Sequence, residues 1–68
     1  MIKISFLKQL IGMPIDIAKI LINHKSYNVA PYIEDTLSLH PPKNTILIAE
    51  KYGKIIKAKA ADIIELEL

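Results

Sequence analysis

Cysteine, tryptophan and arginine are all missing from this chain of 68 residues, and glycine occurs only twice. Without cysteine no disulfide can staple the fold and no thiolate zinc site can form. The need for a staple would be real, because a domain this small buries only about 60% of the surface its unfolded chain exposes. Without arginine there is no guanidinium fork for a bidentate grip on guanine or phosphate. All nine basic residues are lysine, and valine appears once, at Val29, among many isoleucines. Both biases are what an AT-rich coding sequence produces. The net charge of +2 is too small to argue for nucleic acid by itself. No run of roughly 20 apolar residues offers a membrane span. The stretch "LIGMPIDIAKILI" has the flavour of a signal peptide, but Pro14, Asp16 and Lys19 interrupt it. The chain therefore reads as one soluble, cytoplasmic domain over residues 1–68, with no membrane partner.

What is present is aliphatic. Half of the residues are hydrophobic, at 51%, and isoleucine and leucine dominate them. So much apolar side chain on so short a chain exceeds what one small core can hide, and the expected cover is a second copy of the chain.

Along the chain, "MIKISFL" alternates, with Ile2, Ile4 and Phe6 on one side, and reads as a strand. Leu7, Leu10 and Ile11 then fall at helical spacing, with Ser5 available as a cap and Gly12 as a terminator, which predicts a single helical turn. Residues 15–22, "IDIAKILI", fit two descriptions. As a strand both faces are mainly apolar; as a helix, Pro14 opens it and Asp16 sits in its first turn. Isoleucine enrichment favours the strand. "NHKS" is a turn, and "YNVAPYI" an edge strand or ordered loop because of Pro31. "EDT" is a turn, "LSLH" a short strand and "PPKN" a breaker. "TILIAE" and "IIKAKA" form a hairpin around "KYGK", where Gly53 supplies the positive φ. "DIIELEL" is a last strand. Pairing of the first and last strands, with Lys3 opposite Glu65 or Glu67, would close a barrel and remove two edges.

"LKQLIGMPI" and "KAKAADIIELEL" resemble the opening and closing segments of PRC-barrel domains. The resemblance covers about a third of the chain. The centre departs from the family pattern, since residues 22–44 hold no glycine. The resemblance implies a six-stranded barrel used as a docking module, as in RNA-processing factors and a photosynthetic reaction-centre subunit, with no catalytic residues. The expected fold is thus mainly β, a small SH3-like or PRC-type β-barrel with one short helical turn. The alternative is an α+β fold with a helix at about residues 14–24.

Chemistry-bearing constellations are scarce. His24 and His40 each stand alone, without the close-spaced partners a metal site needs, and read as surface turn histidines. Glu34 and Asp35 are adjacent, so on a strand they face opposite ways and cannot share a cleft. Ser5, Ser26 and Ser38 lack a nucleophile elbow, and Gly12 and Gly53 make no phosphate loop. No enzyme activity, metal or cofactor is expected.

Two features suggest binding. Tyr27 and Tyr32, flanking Val29 and Pro31, form either a docking surface or, the favoured reading, plugs for the barrel mouth. In "KYGKIIKAKA", Lys51 and Lys54 sit beside Tyr52 at a hairpin tip, while Lys57 and Lys59 share a strand face with Ile55. Cross-strand pairing with Glu65 and Glu67 would make the lysines a solvated face, leaving the tip as the best binding candidate. The expected function is a non-enzymatic protein-interaction module that self-associates and docks an unidentified protein partner. The alternative is an electrostatic, sequence-blind nucleic-acid-binding barrel acting through residues 51–59. A regulatory subunit whose chemistry lies in another chain is a third reading, prompted by size alone.

Overall fold

The computed structural model describes residues 2–33, 41–61 and 63–67, and of residues 63–65 the backbone alone. The expected strand at "LSLH", the turn at "EDT", and Glu34, Asp35, Ser38 and His40 lie outside the described residues.

Two helices precede a four-stranded sheet: α1 (Ile4–Leu10), α2 (Ile15–His24), β1 (Asn28–Pro31), β2 (Thr45–Lys51), β3 (Lys54–Ala60) and β4 (Ile63–Glu67). The strand order is β1-β2-β3-β4. β1 runs parallel to β2, and the other two pairs are antiparallel. This is an open mixed sheet in an α+β fold, and it overturns the expected SH3-like or PRC-type barrel. The physical reason lies at the two ends. The opening segment that was to pair with the last strand is a helix, so among the described residues β1 and β4 remain edges. Lys3 is exposed ahead of α1, and Glu67 instead lies 3.7 Å from Lys57 on β3.

α1 forms because Leu7 and Leu10 fall three apart and both are fully buried. The alternation at Ile2, Ile4 and Phe6 is overruled: Ile2 is buried ahead of the helix, whereas Ile4 is exposed at 49%. Ser5 is not the cap, since Lys3 holds that position and no side chain caps the helix. Gly12 ends the turn after α1 at φ 84, as expected of a glycine there.

The contested segment is helix. Ala18 and Ile22 lie four residues apart, both fully buried, and Asp16 occupies the first turn. Pro14 takes the N-cap position, and its carbonyl accepts the Ala18 N–H at 3.0 Å. At the far end Ser26, at φ 62, closes the helix. Its N–H donates to the Asn23 carbonyl, and the Tyr27 N–H to that of Ile22, a Schellman closure with serine where glycine is usual.

The helices cover one face of the sheet. Leu7, Leu10, Ala18 and Ile22 pack with Ile46 and Ile48 of β2 and with Ile55, Ala58 and Ala60 of β3. The segment between the helices is stitched to the start of β3. The Gly12 N–H donates to the Ile55 carbonyl at 2.7 Å, the Ile55 N–H to Met13 at 3.0 Å, and the Ile15 N–H to Gly53 at 2.8 Å.

The β2–β3 hairpin is the one expected, but with a bulge. Ala49 faces Lys57 while Glu50 faces Ile55, so Ile56 is the extra residue. The bulge rotates Ile55 into the core, where it is fully buried. Ile55 therefore does not share a face with Lys57 and Lys59, contrary to simple alternation. No helix among the described residues is long and apolar enough to cross a membrane.

Candidate functional site

Two surfaces carry exposed apolar or charged side chains. The first is the outer side of α2. A helix turns about 100° per residue, so Ile20 points directly away from the midline of Ala18 and Ile22. It is 68% exposed, and Ile17 beside it 52%. Asp16 and His24 lie one turn before and after Ile20, both exposed. A groove separates this ridge from β1, lined by Lys19, Ile20, Asn23, Tyr27, Asn28 and Val29. The edge of β1 is a poor template for another strand. The N–H groups of Asn28 and Tyr32 turn inward, each donating over 2.7 Å to carbonyls of Asn44 and Ile48. Alternation turns Val29 and Pro31 outward, and Pro31 has no N–H to offer.

The second surface is the sheet face away from the helices, together with the hairpin turn. Ile46 and Ile48 point into the core, so Leu47, Ala49 and Lys51 point the other way, where Leu47 is nevertheless buried and only the hairpin end of the face is exposed. Register then assigns their partners to the same face: Lys59 beside Leu47, Lys57 beside Ala49, and Lys54 beside Lys51. The four lysines singled out from the sequence thus share one face, although Lys54 and Lys57 are an odd number apart. The bulge at Ile56 makes this possible.

The lysines are not equivalent. The Lys57 side chain is only 19% exposed; its ammonium lies 3.7 Å from the Glu67 carboxylate and 4.9 Å from the centroid of the Tyr32 ring. Lys59 is half-buried. Lys51 and Lys54 are exposed and directly opposite each other at the closing pair of the turn. Like charges so placed repel.

Between them, Tyr52 and Gly53 form a two-residue turn with φ of 55 and 76, a type I′ geometry that asparagine–glycine would suit. A tyrosine held at positive φ costs roughly 1–3 kcal/mol. Its ring recovers little of that by packing, being 92% exposed, with the Lys51 ammonium 5.6 Å from the centroid.

Tyr27 and Tyr32 part company, and there is no barrel mouth for them to plug. Tyr27 packs toward the helices, its ring centroid 5.8 Å from that of Phe6. Tyr32 lies over Lys57 on the opposite face. The seven residues predicted for partner binding therefore divide into a tip (Lys51, Tyr52, Lys54), a sheet row (Tyr32, Lys57, with Lys59 next to it) and a core-side ring (Tyr27). Asp16, Ile17, Ile20 and His24 were missed. Their signal, two ionisable groups spaced evenly about an exposed isoleucine, is visible only once residues 15–24 are read as helix. Among the described residues no cluster of three histidine or carboxylate groups could hold a metal ion. No family model, no curated protein and no solved structure matches this chain, so its likeness to known proteins adds nothing to these two surfaces.

Proposed function

We propose that this protein is a non-catalytic interaction module that self-associates, with α2 of one copy packing antiparallel on α2 of a second. The observation that carries this reading is Ile20, 68% exposed at the centre of a regular helix face and beside Ile17. A two-fold axis passing by Ile20 would bring isoleucine onto isoleucine. It would also set Asp16 of each copy against the partner subunit's His24, since the two lie four residues to either side. The carboxylate accepts a hydrogen bond from the imidazole in either of its protonation states. Antiparallel packing opposes the helix dipoles as well. The nearby groove, walled by Val29, gives the opposing ridge somewhere to sit.

A ten-residue helix is only about 15 Å long. The contact therefore falls at the small end of specific interfaces and should be concentration-dependent. Sedimentation velocity across a concentration series tests it. A mass approaching two chains at high concentration is expected, falling to one chain in Ile20→Asp with circular dichroism unchanged. Exchanging the charges one at a time and together separates the geometry from mere stickiness. Asp16→His and His24→Asp each weaken the dimer, and the double variant restores it. A chain that stays monomeric when concentrated, or a dimer indifferent to Ile20→Asp, overturns the reading.

A further inference from the structure

We infer that the β2–β3 turn is a binding site for single-stranded nucleic acid, with Tyr52 stacking on a base and Lys51 and Lys54 holding the phosphates to either side. Three locally unfavourable choices meet on this one turn. A bulky aromatic sits at φ 55 where asparagine or glycine would be relaxed. Tyr52 is 92% exposed. Two lysines of like charge are paired across the closing position of the turn, Lys51 opposite Lys54. Sequences that break local rules without compensation inside the fold tend to do so at functional positions. Here one ligand resolves two of the three: an anion between the lysines removes their repulsion, and a flat ring laid on Tyr52 removes it from water.

The tip is also held still. The Gly53 carbonyl accepts the Ile15 N–H at 2.8 Å, and Pro14 bridges to Lys54, so the turn is braced from the helix side. The ring is thus carried on backbone that is hydrogen-bonded to the segment between the helices. The Lys51 ammonium lies over one face of the ring at 5.6 Å and leaves the other for a base. Glu50 is exposed as well, but it neighbours Lys51 in a strand and so points to the opposite face, as its pairing with the buried Ile55 shows. Among the described residues other than its chain neighbours, a Cβ on Gly53 would meet no atom within 4 Å.

The chemistry fits a nucleotide strand better than a carboxylate peptide, since it pairs one aromatic plane with two cations in one turn. Aromatic stacking accepts every base, and ammonium groups contact phosphates without reading sequence, so binding is sequence-blind. The site lies on the hairpin, away from the outer face of α2, and does not depend on self-association.

Fluorescence anisotropy with end-labelled oligothymidylate and oligouridylate at low salt tests the inference, the two probes separating DNA from RNA. Wild-type protein should bind with a log–log salt slope of about −1.4, that of two single-strand phosphates. Tyr52→Asn should weaken binding by about tenfold or more, and Tyr52→Phe should keep it. Tyr52→Asn should also raise the thermal unfolding midpoint by roughly 2–6 °C, because it relaxes the turn. Lys51→Gln with Lys54→Gln should flatten the salt slope. Failure of the wild type to bind either probe, unchanged affinity in Tyr52→Asn, or competition by inorganic polyphosphate equal to that by oligonucleotide would each overturn the site. A lower midpoint in Tyr52→Asn would overturn its premise of a strained tip.

Discussion

The outer face of α2 and the turn between β2 and β3 both put apolar groups into water, yet they do so at different cost. Ile17 and Ile20 stand on ordinary helical backbone, and only their hydration is unfavourable. Tyr52 is exposed on backbone that itself resists the residue. An exposed isoleucine on a helix is removed from water by any apolar partner, a second copy included. A strained aromatic is tolerated only where something specific is gained from its position. The first surface therefore speaks for association, the second for recognition.

Substitutions can sharpen that contrast. The largest effect belongs to the inner side of the same helix. Ile22→Ala leaves a cavity in the buried core and should destabilise the fold by about 2–5 kcal/mol in urea titration. Ile20→Asp, two residues away, should leave monomer stability nearly unchanged. Equal losses from the two would erase the distinction between the faces of α2. Next comes Gly53→Ala. The added Cβ meets open space, so any loss reflects φ 76 alone, and about 1–2 kcal/mol is expected by thermal unfolding. A neutral result would mean that positive φ costs nothing at this turn, and the argument from Tyr52 would fall with it. The smallest effect is at the far end of the lysine face. Glu67 is 63% exposed, so Glu67→Gln should cost no more than about 0.2–1 kcal/mol, fading with salt. A larger, salt-insensitive loss would mean that Lys57 anchors the sheet rather than decorates it.

The hairpin was legible because two signals agreed on it. Ile46 and Ile48 alternate inward on β2, and Gly53 marks the turn. β1 was legible as an edge from Pro31. The N-terminal third was legible only in part: the helical turn at Leu7 and Leu10 was expected and a helix at about 14–24 was the alternative, but isoleucine is ambiguous there. In "IDIAKILI" the residues that face the core are Ala18 and Ile22, while Ile17 and Ile20 face solvent. A helix that leaves two isoleucines exposed looks, in sequence, like a strand with two apolar sides. Its end carries no glycine either, since Ser26 takes the left-handed position. The lysine face was half legible. Lys57 and Lys59 follow from alternation, but Lys54 joins them only through the bulge at Ile56, which has no sequence mark. The tip's three residues were singled out correctly as neighbours, whereas the strain at Tyr52 became visible only with a backbone angle.

The stitch between residues 12–15 and residues 53–55 has a consequence for the order of events during synthesis. The helical third leaves the ribosome before the hairpin, but it is made of helices too short to persist alone. Its buried leucines, the N–H groups of Gly12 and Ile15 and the carbonyl of Met13 meet their partners only after some forty more residues have been made. The nascent chain must therefore stay open until the hairpin arrives, and the two ends of its history close in a single late step.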